Sequence, residues 1–160
     1  RGMKKIKTGI FTLLAGLSAG ILGTRWYMNK ELDRVSKYSD KHLKLFLMMN
    51  QWVKVRQKGK KLECYFEEKG YKKIAVYGMS YVGVTLVEEL KNTKIEVVYG
   101  IDKNADNIAS IIDIITLKDE MKEVDAIVVT AIVFYEDIKR QLREKANCPV
   151  ISLEDILYDM

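Results

Sequence analysis

The sequence contains little proline, cysteine or histidine, and each scarcity narrows what the chain can be. Of its 160 residues, one is proline, two are cysteine and one is histidine. Cys64 and Cys148 lie far apart and show no metal-ligand spacing, so we expect neither a disulfide framework nor a zinc site. We expect His42 to lie exposed in a helical turn rather than to act as a general base. The chain therefore suits a reducing, cytoplasmic setting.

Motifs for catalysis are also missing. The sequence has no phosphate-loop lysine motif, nucleophile elbow, HExxH motif or paired-carboxylate motif. The Tyr-x-x-x-Lys spacing of short-chain dehydrogenases occurs three times, for example at Tyr135 and Lys139, but three matches in a chain rich in both residues carry no weight. We assign no catalytic residue and expect no independent catalytic activity.

A strand–turn–helix–strand pattern is present over residues 73–102. Residues 74–77 form an apolar run typical of a parallel strand that is buried on both faces. Apolar residues then recur at helical spacing over residues 84–90, and residues 95–101 are again rich in β-branched side chains. The pattern predicts a βαβ unit.

The turn of this unit, residues 78–83, has the dinucleotide-binding spacing G-x-G-x-x-G, with Ser80 in place of the middle glycine. Gly78 permits a tight turn, Gly83 permits close packing of helix on strand, and backbone N–H groups at the helix start can face a pyrophosphate. Asp102 ends the second strand, near the offset at which an acid accepts hydrogen bonds from ribose. The alternative is that the glycines only form a tight turn and Asp102 only caps the next loop.

The candidate binding residues lie in this turn and at the ends of the second and fourth strands. They are Gly78, Met79, Ser80, Tyr81, Gly83, Asp102, Lys103, Thr130 and Ala131. The last two would line the crevice at the topological switch point of the sheet. A carboxylate at position 102 would repel a 2′-phosphate, so we expect an NAD-like ligand or another nucleotide with an unphosphorylated ribose.

Later segments complete an α/β pattern. Strands are predicted over residues 111–116, 126–131 and 148–152, helices over 135–145 and 153–160, and helical turns over 104–109 and 118–123. Five strands that alternate with helices predict a parallel sheet in the order 3-2-1-4-5. The fold class is α/β, and we place this Rossmann-like, nucleotide-binding domain at residues 71–160.

The N-terminal segment predicts a membrane helix within residues 1–28. Residues 8–24 are uncharged, and Trp26 and Tyr27 follow where an interfacial aromatic belt would lie. Seventeen residues span roughly 25 Å of a core about 30 Å thick, and residues 8–28 together can just cross it. Secretory signal peptide and buried core helix are the alternatives. Gly16 and Gly20 form a GxxxG step on which two such helices could pair as a homodimer.

Residues 29–70 are expected to be a juxtamembrane segment with amphipathic helices. Residues 29–39 suit either continued helix or a linker, and Ser39 or Asp40 provides an N-cap signal for a helix over residues 42–58. A shorter helix is predicted over residues 61–69. Much of the net charge of +5 comes from the first third of the chain. With no nucleic-acid motif beside it, this charge indicates a membrane-proximal segment and no nucleic-acid partner.

Several short runs carry a family resemblance. They are NQW (50–52), GKKL (59–62), YF (65–66), GYKKIAVYGM (70–79), YGIDK (99–103) and VISLED (150–155). Over about residues 43–160 the chain resembles a Rossmann-like module of bacterial polysaccharide-biosynthesis proteins, similar to the nucleotide-binding part of nucleoside-diphosphate-sugar epimerases and found beside glycosyltransferase domains.

The resemblance implies a nucleotide or nucleotide-sugar ligand, NAD included, a glycosyltransferase partner, and a place at the bacterial inner membrane with the domain in the cytoplasm. It supplies no catalytic residue. Three functions remain open: a ligand-binding accessory module, an epimerase- or reductase-like enzyme that acts on a nucleotide sugar with NAD, and a structural interaction module without a ligand.

Overall fold

The computed structural model describes residues 2–108 and 110–160, with side chains described from Gly20 onward. Its contacts divide the chain into two compact units, Arg1–Leu43 and Lys44–Met160. The helices are α1 (Gly2–Gln57), α2 (Leu62–Glu68), α3 (Tyr81–Leu90), α4 (Tyr135–Arg143) and α5 (Leu153–Asp159). The strands are β1 (Lys73–Tyr77), β2 (Glu96–Ile101), β3 (Ile114–Ile115), β4 (Ala126–Val129) and β5 (Val150–Ser152).

The five strands form one parallel sheet in the order β3-β2-β1-β4-β5, which confirms the predicted α/β class and strand order. The central strands β1 and β4 are buried, as their uninterrupted apolar sequences predict. Tyr77 is paired with Ile101 of β2 and with Val129 of β4. The register therefore brings the carboxyl ends of these three strands to one edge, where the candidate site lies.

Alternate residues of β1 supply the two halves of the core. Ile74 and Val76 belong to the cluster that also contains the apolar side of α3. Ala75 and Tyr77 point to the other face, where Ile138 and Leu142 of α4 are buried. Both faces of the sheet are thus covered, as expected of a parallel sheet.

The C-terminal part of α1 packs into the unit Lys44–Met160. Met48, Trp52 and Val55 are buried at helical spacing, one stripe of an amphipathic helix. Trp52 Nε1 donates a hydrogen bond of 2.8 Å to Glu89 Oε2 on α3, and Gln51 Nε2 donates one of 3.0 Å to the Leu157 carbonyl. The buried stripe belongs to the amphipathic helix predicted over residues 42–58, and these polar contacts anchor it at its edges.

The predicted helix start at Ser39 or Asp40 is wrong, because α1 runs without a break from Gly2 to Gln57. No glycine or proline occurs between Thr24 and Lys58, so nothing in the sequence ends the helix there. Residues 8–19 of the predicted membrane span, with Gly16, lie outside the residues whose side chains are described. In the part that could be searched, no helix is long and apolar enough to cross a bilayer.

The connections around β3 contain less regular structure than predicted. A single 3₁₀ turn, Ala105–Asn107, replaces the helical turn expected over residues 104–109, and β3 is two residues long. Residues 118–123 form no helix. The Asp119 carboxylate instead accepts hydrogen bonds from the Thr116 N–H, at 2.7 Å, and hydroxyl, at 2.8 Å. These bonds satisfy polar groups in a turn and compete with a helix.

Candidate functional site

The turn after β1 requires glycine at its first position. Gly78 has φ of +97°, a region that other residues rarely adopt. A Cβ built on Gly78 would also lie 2.8 Å from Thr130 Oγ1, too close for real atoms. The Gly78 N–H donates a hydrogen bond of 2.8 Å to the Ile101 carbonyl of β2, so the turn continues directly from the sheet.

Gly83 allows the start of helix α3 to pack directly on the glycine turn that follows β1. A Cβ at Gly83 would lie 2.2 Å from the Gly78 carbonyl oxygen. Any side chain at Gly83 would therefore push the helix away from the end of β1. The two glycines that define the sequence motif are thus in contact, and their spacing has the packing role expected of it.

Asp102 joins the end of β2 to the same turn. Its Oδ2 accepts a hydrogen bond of 2.8 Å from the Met79 N–H, and its Oδ1 accepts one of 3.0 Å from the Asn104 N–H. An ionised carboxylate has about four acceptor positions, so two remain for a further donor. The side chain does cap the loop after β2, but that role leaves acceptor capacity free.

Met79 contributes its backbone rather than its side chain to the turn. The side chain is buried, and it fills a notch beside Gly100, where a Cβ would lie 2.7 Å from Met79 Cγ. Because its N–H already donates to Asp102, Met79 offers no free donor to a ligand. Gly100 was not singled out from the sequence, since its role depends on a neighbouring strand.

The start of α3 presents a row of unpaired donors. Ser80 is the N-cap residue, in an extended conformation, and its side chain makes no capping hydrogen bond. Among the described residues, 2–108 and 110–160, none accepts a hydrogen bond from the backbone N–H groups of Ser80, Tyr81, Val82 and Gly83. Such groups, together with the helix dipole, attract anions. Tyr81, in the first turn, is 94% exposed.

Thr130 and Ala131 follow β4 at its carboxyl end, beside the end of β1. Thr130 is buried, and its hydroxyl lies 2.5 Å from the Gly78 carbonyl oxygen and 3.1 Å from that of Tyr77. A hydroxyl has one proton to donate, so this donor is used within the protein. Ala131 is half-buried and borders Gly78. Both residues are at the switch point, as the sequence predicts.

Lys103 is exposed beyond the end of β2, next to the half-buried Asp102. Seven of the predicted site residues therefore come together on the turn and the strand ends: Gly78, Met79, Ser80, Gly83, Asp102, Thr130 and Ala131. Tyr81 and Lys103 lie at the exposed rim of this group.

A cleft of about 320 Å³ borders the turn on the α3 side. It is lined by Met79, Val84, Val87, Glu88, Ser110 and Ile111. Its volume is at the lower limit of small-molecule sites, and its walls are mainly apolar. Met79 is common to the cleft and the turn.

Tyr77 is a titratable residue that sequence reasoning missed. Burial and, to a smaller extent, the negative charge of Asp102 raise the pKa of its hydroxyl above the ordinary value. The signal for finding it was its place as the last residue of β1, at the same sheet edge as Asp102. Tyr77 is protonated at neutral pH with or without this shift, so its hydroxyl remains a donor.

The other chemical candidates do not converge on the turn. The Tyr135 hydroxyl donates a hydrogen bond of 2.9 Å to the Val150 carbonyl, and Lys139 Nζ lies 4.9 Å from the centre of the Tyr135 ring. This tyrosine and lysine therefore pack together rather than form an acid–base pair. No cluster of metal-ligating side chains occurs among the residues whose positions are described.

These features define a parallel α/β domain with a glycine turn and an acid at adjoining strand ends. The chain belongs to the C2185-like, N-terminal family, whose model matches residues 70–149, half of its length. The matched region contains every candidate site residue. No curated protein and no solved structure matches the chain.

Proposed function

We propose that the chain is a membrane-anchored, Rossmann-like accessory module that binds a nucleotide or nucleotide sugar at the turn between β1 and α3. The observation that carries this proposal is the set of four unpaired backbone N–H groups at residues 80–83. A ligand phosphate placed there would satisfy these donors in the direction favoured by the helix dipole.

Asp102 supports the nucleotide assignment. Its carboxylate lies at the end of the adjoining strand, is fixed by two backbone N–H groups, and keeps free acceptor positions. A ribose whose phosphates bind at the start of α3 would offer its hydroxyl groups to this carboxylate. NAD and nucleotide sugars both combine an unphosphorylated ribose with a pyrophosphate, so both fit this arrangement.

The membrane part of the proposal rests on residues 8–28, which combine an uncharged segment with interfacial aromatic residues. We place the ligand-binding domain in the cytoplasm, where nucleotide ligands and reduced cysteines are expected. The GxxxG step at Gly16 and Gly20 offers a face on which two anchors can pair. The resemblance to polysaccharide-biosynthesis modules suggests a glycosyltransferase as the protein that uses the bound ligand.

Ligand binding is tested first by thermal unfolding of the full chain in detergent with NAD, NADP, UDP-glucose and coenzyme A. A ligand at about 100 times its dissociation constant should stabilise the fold by roughly 2.7 kcal/mol. We expect NAD or UDP-glucose to raise the unfolding temperature. If none of these compounds has an effect at saturating concentration, the proposed ligand class is wrong.

The site is then tested by comparing Tyr81→Pro with Tyr81→Ala. Proline suits the first position of a helix and the extended Ser80 before it, but removes one ligand-facing N–H. Alanine removes the same exposed ring and keeps the N–H. Because a hydrogen bond to a charged group contributes about 1.5–3 kcal/mol, proline should weaken binding roughly 10- to 100-fold relative to alanine in calorimetric titration. Equal affinities would show that this helix start does not bind the ligand.

One observation favours a structural module as the second candidate. The buried Met79 side chain and the Thr130 hydroxyl occupy space at the strand ends. In a module without a ligand these groups would only complete the packing of the sheet edge. The same ligand series distinguishes the candidates, since a structural module should bind none of the compounds.

A further inference from the structure

The exposed part of α1 carries an apolar stripe that ligand binding does not use. Met28, Leu32 and Val35 follow one another at four- and three-residue spacing, and are 60%, 62% and 57% exposed. The same spacing continues to Ser39 and His42. With Leu32 and Ser39 as heptad position a, residues 28, 35 and 42 are position d, the seam of a two-stranded coiled coil. We call Met28, Leu32 and Val35 the seam.

The charged residues lie on the opposite side of this helix. In the heptad frame, positions b, c and f between residues 30 and 41 are all charged: Lys30, Asp33, Arg34, Lys37, Asp40 and Lys41. Each of the two acids has a base three or four residues away, so opposite charges can stabilise one another within a single helix. Such a face is suited to water rather than to an acidic partner.

The positions that flank the seam are nearly free of charge. Positions e and g between residues 24 and 43 are Thr24, Asn29, Glu31, Ser36, Tyr38 and Leu43. Their single charge, Glu31, is already 2.6 Å from Arg34 Nη2 of the same helix. Over residues 28–43, two copies placed seam to seam therefore meet along matching, almost neutral edges.

We infer that the seam is a homodimerisation surface, on which two copies of this chain form a parallel coiled coil over residues 28–43. The parallel direction rests on the proposed function, since two chains anchored in one membrane by residues 8–28 run the same way.

A lipid surface suits this face less well, because binding to anionic headgroups is favoured by basic residues beside the apolar stripe. Here those edges hold Glu31 and otherwise only uncharged residues. The polar Ser39 and His42 at seam positions would fix the register at some cost in stability.

The geometry is tested by single cysteines in the full chain, in detergent, with Cys64→Ser and Cys148→Ser as background. Met28→Cys and Val35→Cys, both at position d, should each form an intermolecular disulfide on mild oxidation. Lys37→Cys, at the outward position f, should not. Crosslinking at only one of the two d positions, or equal crosslinking at Lys37→Cys, would overturn the parallel seam.

The mass of the assembly, measured by sedimentation, gives a second test. In a background that carries Gly16→Leu and Gly20→Leu, which removes the small-residue face of the anchor, the double variant Leu32→Ser and Val35→Ser should be monomeric, whereas the control Lys30→Ser and Lys37→Ser should remain dimeric with the same helical content. A monomeric wild-type chain, a control as monomeric as the seam variant, or a seam variant that still dimerises would each overturn the proposal. Titration of the same samples with NAD and UDP-glucose reports on the ligand site separately, because the seam lies outside residues 44–160.

Discussion

Asp102 shows how one side chain can serve the turn and still be available to a ligand. Each of its two oxygens accepts a hydrogen bond from a backbone N–H group. One donor is Met79 in the turn, and the other is Asn104 in the loop after β2. These bonds fix the orientation of the carboxylate before any ligand arrives. A hydroxyl that binds there would meet an acceptor already in place, which reduces the ordering cost of binding.

Asp102→Ala should weaken binding of NAD or UDP-glucose by about 1–3 kcal/mol, since ligand hydroxyl groups lose their acceptor. It should also reduce any preference for NAD over NADP, because the charge that repels a 2′-phosphate is gone. Asp102→Asn retains an acceptor for the Met79 N–H but removes the charge and the acceptor of the Asn104 N–H. Calorimetric titration with NAD and NADP measures both effects.

Asp106→Ala is the matched control for Asp102→Ala, because it removes an exposed acid from the same loop without a described hydrogen bond. It should leave both affinities unchanged. Tighter binding of NADP than of NAD by the wild-type chain would contradict the role of Asp102 as ribose acceptor.

The sequence identified the parts of the site that depend on local chain geometry. Gly78 and Gly83 could be predicted because a strand–helix turn needs glycines at that spacing. The positions of the Met79 side chain and the Thr130 hydroxyl could not be predicted. They depend on Gly100 in the next strand and on the register of β1 with β4, which no single segment of sequence encodes.

Among the elements, β1 and the segment before β4 are tied together at the edge opposite the site. The Asp125 carboxylate accepts hydrogen bonds of 2.8 and 2.7 Å from the Lys72 and Lys73 N–H groups. These backbone bonds, the one from Lys73 first, lower the pKa of Asp125 below its ordinary value. The charged form is therefore favoured in the folded state.

Asp125→Ala should lower the free energy of unfolding by about 1 kcal/mol at neutral pH, the usual effect of losing such hydrogen bonds. Because the folded pKa is depressed, the contribution is present above the unfolded pKa of about 3.9 and is lost as the pH falls through the folded pKa. Urea unfolding of both proteins between pH 3 and 7 should show the difference shrinking towards low pH. A difference that stays constant over this range would exclude the carboxylate as its source.

Element prediction succeeded where the apolar pattern was dense and failed where it was sparse. β1 and β4 were clear because four consecutive apolar residues are buried in each. The predictions for β3 and the turns on either side were inaccurate, since polar residues there bond to nearby backbone instead of following a period. The break expected in α1 was wrong because Ser39 and Asp40 can cap a helix but do not end one.

Each of the two units of the molecule has its own proposed role. Residues 44–160 hold the sheet, the turn and the cleft, and the family match at residues 70–149 lies within them. Residues 1–43 carry the uncharged segment and the seam. Anchoring and pairing are therefore assigned to one part of the chain and ligand binding to the other, so each can be removed by mutation without the other.

Membrane anchoring is the prediction that concerns the molecule as a whole. In bacteria that express the full chain, it should sediment with membranes and resist extraction by high salt. Protease added to intact spheroplasts should spare residues 44–160, because we place them in the cytoplasm.

The double variant Leu13→Lys and Leu17→Lys adds two charges to the anchor, each costing about 2.5–3.5 kcal/mol at the centre of a membrane helix. It should move the chain to the soluble fraction while ligand binding, measured by calorimetry, is unchanged. A wild-type chain that is soluble without detergent, or a domain digested from outside, would contradict the anchor or its orientation.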